Sequence, residues 1–196
     1  IFISFSFIQS QNVLKTIPII EELGCGNCHS GVNVSTILLN RAPDLSYAGL
    51  KYNEAFLFDY LKSPQKIRYN IGNSRMPNFG FSNDEALALT KYLMSRNILP
   101  DGISIQSKSI KSNNNGFDLI HQEYQCTACH TLNGVGQLKS TDLNTASVRL
   151  QNNWLYDLLL NPDLYVPKKS PMPKFFEKGD LNDEKNITKM IGFLSH

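Results

Sequence analysis

The stretch Cys25-Gly26-Asn27-Cys28-His29 decides how this chain is read, because it sets two cysteines three apart and follows the second directly with histidine. A C-x-x-C pair serves three chemistries: thiol exchange, zinc ligation and thioether attachment of haem. The adjacent histidine separates them. A redox dithiol has no use for it, whereas haem attachment needs an imidazole that the same short turn carries to the iron. The pattern recurs at Cys126-Thr127-Ala128-Cys129-His130, and the two copies account for all four cysteines. Two pairs could also make a four-cysteine zinc site, but that leaves both histidines without a role. The expected cofactors are two haem c groups, with Cys25, Cys28, Cys126 and Cys129 as thioether positions and His29 and His130 as axial ligands.

Length and composition fit this reading. A chain of 196 residues carrying two motifs favours two units of about ninety residues each. Units that small have thin cores, which a covalently held apolar macrocycle would help to fill. Apolar residues make up 41% and charged residues 18%, with a formal net charge of +2. There is no basic stripe and no recognition motif, so nucleic acid is not an expected partner. Residues 1–10 are apolar at first and too short to cross a bilayer, and are expected to be a signal remnant or an anchor tail.

Self-comparison reveals a duplication. A shift of about 98 residues aligns Asp44-Leu45 with Asp142-Leu143, Phe56 with Trp154, Asp59 with Asp157, and Pro64 with Pro162. Arg75-Met76-Pro77-Asn78-Phe79 meets Pro171-Met172-Pro173-Lys174-Phe175, and Asn83-Asp84-Glu85 meets Asn182-Asp183-Glu184. Small drifts in the offset are what changes of loop length produce. The expected organisation is one unit at 11–97, a polar linker at 98–115 and a second unit at 116–196.

Each half reads as short helices. Phe117, Ile120 and Tyr124 fall on one helical face before the second motif, and residues 13–23 precede the first, with Pro18 restricting the helix start. Residues 53–61 and their copy 152–160 carry helical spacing, halted by Ser63-Pro64 and Asn161-Pro162. The last helix of the first half begins at Ser82-Asn83-Asp84-Glu85, a capping-box spacing. Its copy is expected over 187–194, after Asn182-Asp183-Glu184. No segment alternates convincingly as a strand, so the expected fold class is all-α.

A single histidine leaves one axial position to fill. Two of the four methionines sit in the duplicated Met-Pro-x-Phe context, and Met76 and Met172 are the expected distal ligands. A thioether suits ferrous iron, raises its potential and occupies the position against oxygen or peroxide. Met94 and Met190, inside terminal helices, read as core filling. His121 and His196 read as ordinary surface or helix residues. Asn33-Val34-Ser35 and Asn186-Ile187-Thr188 match a glycosylation pattern by chance.

These residues resemble class I cytochromes c, and specifically the two-domain dihaem type, represented by cytochrome c4 and by the dihaem subunit of flavocytochrome c. The resemblance rests on CGNCH and CTACH, the Met-Pro loops and the capped terminal helix of each half. It implies an all-α fold of two tandem domains, each a few short helices around one covalently attached haem, and export to the periplasm, where such haem is attached. It also implies that the Pro43 carbonyl orients His29 by accepting from its ring nitrogen. The second half departs from this pattern, because Ser140-Thr141-Asp142-Leu143 has no proline.

The function that follows is outer-sphere electron transfer between redox proteins, not an enzymatic reaction, with no small-molecule substrate at iron. The chain would act as a shuttle or as a subunit docked to a membrane-bound complex. Lys62, Lys66, Arg68 and Arg75 in the first half, with Lys168, Lys169, Lys174 and Lys178 in the second, would steer acidic partners. The competing reading is a dihaem enzyme, a peroxidase or an oxidase of sulfur compounds, with one displaceable iron ligand.

Overall fold

Ser82 opens the best-specified helix of the chain. Its side-chain oxygen accepts from the Glu85 N–H, and the Glu85 carboxylate accepts from the Ser82 N–H at 2.9 Å, so two otherwise unpaired donors are satisfied reciprocally. In the computed structural model, which describes residues 19, 20, 23, 25–27, 29, 42–65, 67, 76–99, 105, 107–165 and 171–195, the chain is mostly helical. It divides into two compact units, Ile1–Pro64 with Met76–Ile103, and Gln65–Arg75 with Ser104–His196.

In the first unit, a 3-10 turn at Cys25–Asn27 is followed by helices α1 (Ala48–Lys51), α2 (Glu54–Lys62) and α3 (Asn83–Met94). Helix α3 buries Ala86, Leu89, Thr90 and Leu93, one face at i, i+3, i+4 and i+7. The Thr90 hydroxyl is satisfied inside the apolar face by donating to the Ala86 carbonyl at 2.7 Å. Leu57 and Leu61 of α2 meet Leu89 and Leu93 in one core with Ile20 and Ala48. Of the helix expected over 13–23, the described part is a single turn, closed by the Leu23 N–H on the Ile19 carbonyl at 3.0 Å. The remainder lies outside the described residues.

The second unit repeats this plan with additions. Helix α4 (Gly116–Asp118) runs into a π-helical segment, Leu119–Glu123, and a 3-10 turn at Cys126–Ala128 follows. A two-stranded antiparallel ribbon, β1 (Thr131–Leu132) and β2 (Val135–Gly136), pairs Thr131 with Gly136 and Leu132 with Val135. This ribbon is a small addition to a mostly helical chain, which is compatible with the all-α expectation. Its signal was Asn133-Gly134, both at positive φ (50° and 79°), the pair that a tight two-residue hairpin turn demands. A 3-10 turn at Leu143–Thr145 then leads to α5 (Ala146–Arg149), α6 (Asn152–Leu160), α7 (Pro162–Tyr165) and α8 (Leu181–Leu194).

Two boundaries differ from the sequence reading. Pro162 halts α6 but opens α7, because proline fits the first position of a helix, where its missing N–H has no partner to lose. Helix α8 begins six residues before Ile187. Its N-cap is Asp180, whose carboxylate accepts from the N–H groups of Asn182 and Asp183 at 2.9 and 3.0 Å. Asp180 is therefore the counterpart of Ser82, and Asp183 that of Glu85, so Asn182-Asp183-Glu184 is the first turn of the helix and not its prelude.

Helix α8 buries Ile187, Met190 and Ile191 and crosses α4 so closely that a methyl group on Gly116 would lie 2.4 Å from the Phe193 Cβ and 2.7 Å from the Lys189 carbonyl oxygen. Only glycine admits that approach. Trp154, Leu155, Tyr156 and Leu160 of α6 are buried, as is Phe176. Met190 is 2% exposed, and Met94 packs at the edge of the first core, so both serve as filling. Asn186 is also buried and donates its amide to the Tyr124 hydroxyl at 3.0 Å, which removes it from the glycosylation pattern noted above.

Candidate functional site

One local turn occurs twice. In the second unit the Cys126 carbonyl accepts from the Cys129 N–H at 3.2 Å and from the His130 N–H at 3.0 Å. In the first, the Cys25 carbonyl accepts from the His29 N–H at 3.0 Å. The backbone is thus wound so that the residue four places after the first cysteine closes the turn, a consequence of spacing alone. Cys28 lies outside the described residues. Cys126 and Cys129 form no disulfide. Burial pushes the Cys126 thiol up, the opposite of the lowered value that a reactive dithiol needs.

In the second unit the turn is clamped from one side. The Gln137 N–H is shared between the carbonyls of Thr127 and His130, at 3.1 and 3.2 Å, and the Lys139 N–H donates to the Cys129 carbonyl at 3.1 Å. Gly136 makes the clamp possible. It sits at φ +97°, and a Cβ there would fall 2.2 Å from the His130 carbonyl oxygen. On the other side Thr127 is buried, and its hydroxyl oxygen lies 2.7 Å from His121 Nδ1. His121, read from sequence as a bland helix residue, therefore braces the motif.

Both motif histidines are held by a backbone carbonyl. His29 Nδ1 lies 2.8 Å from the Pro43 carbonyl oxygen, and His130 Nδ1 lies 2.7 Å from that of Thr141. A carbonyl only accepts, so Nδ1 carries the proton and Nε2 is left as the lone-pair donor. Burial, the largest influence, lowers both imidazoles below the ordinary histidine value and so favours the neutral form that a metal requires. Thr141 is the residue that the sequence reading missed. Its signal was the repeat itself, since the register aligning Asp44 with Asp142 also sets Pro43 against Thr141.

The carbonyls are positioned by matching turns. Asp44 accepts at Oδ1 from the Ser46 N–H at 2.8 Å, and Asp142 accepts at Oδ1 from the Asn144 N–H at 2.9 Å. Such turns need only a short side-chain acceptor two residues before the donor. The electrostatic surroundings of the rings then diverge. Asp44 adds negative charge near His29, while Arg149, 9% exposed, adds positive charge near His130.

Met76 is half-buried and packs against the core of the first unit, the same core that Cys25 touches. Met172 is half-buried between exposed Pro171 and Pro173, and Phe176 just beyond it is fully buried against Tyr124, ring centroids 4.6 Å apart. Lys62, Lys174 and Lys178 are described, and Lys174 pairs with Glu177 at 3.2 Å. Lys66, Arg68, Arg75, Lys168 and Lys169 lie outside the described residues.

Each unit offers a neutral imidazole, a candidate thioether and a cysteine pair. Among the described residues no group of three or more His, Cys, Asp or Glu could hold a bare metal ion. A macrocycle that brings its own four equatorial donors and is tethered through thiols fits this set. Comparison with family models, with curated proteins and with solved structures finds nothing that matches this chain.

Proposed function

We propose that the chain is a dihaem c-type cytochrome that carries electrons between redox proteins outside the cytoplasm, with two tandem cytochrome c units. The single observation that carries this reading is the pair of half-buried histidines, each following a cysteine turn and each with Nδ1 given to a backbone carbonyl. That arrangement fixes the tautomer and aims Nε2, as proximal ligands require. Cys25, Cys28, Cys126 and Cys129 would hold two haem groups, His29 and His130 would ligate on one side, and Met76 and Met172 on the other. Haem supplies one-electron chemistry when bound.

The protein's part is to hold and to insulate. The clamp of Gln137 and Lys139 holds the backbone of the second turn, and the Thr141 carbonyl holds the imidazole, so little structure need reorganise when the charge changes. Leu57 and Leu89 lie in the core of the first unit, against which Cys25 and Met76 pack, and Phe176 and Trp154 are buried in the second. Low polarity around such a centre favours the less charged, reduced state. Lysines around the methionine loops would attract acidic partners, including a membrane-bound complex. Among the described residues no helix is long and apolar enough to cross a membrane.

Expression of the full chain in a host with a c-type maturation system tests this. Two haems per chain that stay attached through acidified acetone, with a spectrum that changes on dithionite reduction, are expected. Stoichiometric zinc in place of haem, or haem lost to the solvent, would sink the proposal.

A further inference from the structure

The chain enters the two motifs differently. In the first unit the Leu23 N–H bonds the Ile19 carbonyl at 3.0 Å, an ordinary α-turn, whereas the equivalent Tyr124 N–H reaches one residue further back, to the Leu119 carbonyl at 2.9 Å. Such widened π-turns are rare and concentrate where the helix has a task beyond its own packing. The register that aligns Cys25 with Cys126 sets Ile20 against His121 and Gly26 against Thr127. Ile20 is buried in the apolar core on which Cys25 packs, and Gly26 is buried with no side chain to hold. The second unit has a polar contact at these positions, the buried Thr127 hydroxyl 2.7 Å from His121 Nδ1. A hydroxyl can donate or accept, so this bond forms with either tautomer of the ring.

Thr127 is where the fastenings of the second motif meet. Its hydroxyl is held by His121, and its carbonyl accepts from the Gln137 N–H at 3.1 Å, the same N–H that serves the His130 carbonyl at 3.2 Å. His121 is backed in turn by Phe117, ring centroids 5.4 Å apart, and Phe117 lies 6.0 Å from the ring of Phe193 on α8. A continuous path of packed rings and hydrogen bonds thus joins α8 to the turn that carries His130. Removing the imidazole would leave the Thr127 hydroxyl unpaired at 5% exposure, a costly state that the turn can relieve only by shifting.

We propose that His121 is a positioning residue which, acting through Thr127, fixes the turn from which His130 is offered to the cofactor. Apolar packing around Ile20 performs this task in the first unit. The inference rests on the dihaem reading above. His121 touches no donor of the site itself, and its effect passes through the Thr127 hydroxyl alone. His121→Asn retains a polar atom near the place of Nδ1, and His121→Phe fills the space without one. Thr127→Val removes the hydroxyl and keeps its shape.

Proton NMR of the oxidised, haem-loaded full chain tests the proposal, because the signals shifted by each iron report the orientation of its axial imidazole. His121→Phe and Thr127→Val are each expected to shift the second unit's set and leave the first unit's set in place. His121→Asn should return the signals toward the parent positions. The double variant should shift them no further than either single one, since both changes break the same bond. A His121→Phe chain that is less stable yet keeps every shifted signal in place overturns the proposal and leaves His121 a packing residue, as do shifts of equal size in both sets. Should His121→Phe fail to fold, Thr127→Val decides by itself. A chain without covalent haem would instead refute the underlying reading. In that chain the His130 and Gln137 amide signals still report on the turn, and if His121→Phe leaves them unmoved the brace is overturned as well.

Discussion

The carbonyl oxygen of Thr141 lies 2.7 Å from His130 Nδ1, the relation that Pro43 has to His29 at 2.8 Å in the other unit. A threonine and a proline do the same task because the task belongs to the backbone. What the two positions share is the aspartate that follows, whose side chain caps a turn and so aims the preceding carbonyl at the ring. Thr141→Ala should therefore leave the absorption spectrum and stability of the loaded protein within about 0.5 kcal/mol of the parent. Asp142→Ala, which removes the turn's acceptor, should cost about 1 kcal/mol and broaden the ligand-field spectrum. Urea titration with spectroscopy distinguishes the two, and equal losses would show that the threonine side chain matters.

Two methionines of the second half should respond in opposite ways. Met190 is 2% exposed on the core face of α8, so Met190→Ala should lower stability by about 2–5 kcal/mol while the visible spectrum stays that of the parent. Met172→Ala should do the reverse, with a small stability change and a new ability of the oxidised protein to bind added imidazole or cyanide. Binding of such ligands to the parent with equal affinity would remove Met172 from the ligand set.

The caps of the two terminal helices are equivalent in place and differ in chemistry, Ser82 on α3 and Asp180 on α8. Replacing either with alanine should cost about 1 kcal/mol. The Asp180 carboxylate also sits where the helix dipole is positive, so the loss on Asp180→Ala should shrink in high salt and that on Ser82→Ala should not. Denaturation midpoints at low and high salt measure this.

Gly116→Ala brings a methyl group to within 2.4 Å of a side-chain carbon and 2.7 Å of a carbonyl oxygen, and two packed helices must part to admit it. A loss of about 1–3 kcal/mol is expected, despite alanine's higher helix propensity. A gain in stability would mean that α4 and α8 are not held at this distance.

Tyr47 supplies the pH prediction. Burial, then the negative charge of Asp44, pushes its hydroxyl from 10.0 up to about 12. Between these values the unfolded chain has released a proton that the folded chain retains, so stability falls as pH rises through that window and is fully present below it. The Tyr47→Phe variant lacks this contribution and should lose stability less steeply between about pH 10 and 12. Parallel slopes for the two proteins in denaturant titrations would refute the assignment.

Much of the first-order plan was legible before any coordinates. The duplication, the helices over 152–160 and after Ser82, and the core role of Met190 follow from local rules of periodicity and capping. Legibility failed where two segments must be compared in space. The start of α8 lies earlier than the Asn-Asp-Glu match implies because Asp180 caps it, and only the hydrogen bonds name the cap. The ribbon was missed because its strands are two residues long and show no alternation, although Asn133-Gly134 carried its turn. Tyr124 was read as a helix residue, yet its N–H reaches back five places to the Leu119 carbonyl at 2.9 Å, where the segment widens before the motif.

The sequence by itself determined the proposed donors: the cysteine pairs, the adjoining histidines and the methionines in duplicate loops, because covalent spacing limits what so short a turn can do. Only the tertiary structure decided which atoms hold those donors. That the Thr141 carbonyl serves where proline is missing and that His121 braces the second motif both depend on how the chain turns back on itself around the motif. Backbone carbonyls are alike at every position in a sequence, and folding alone gives one of them a partner.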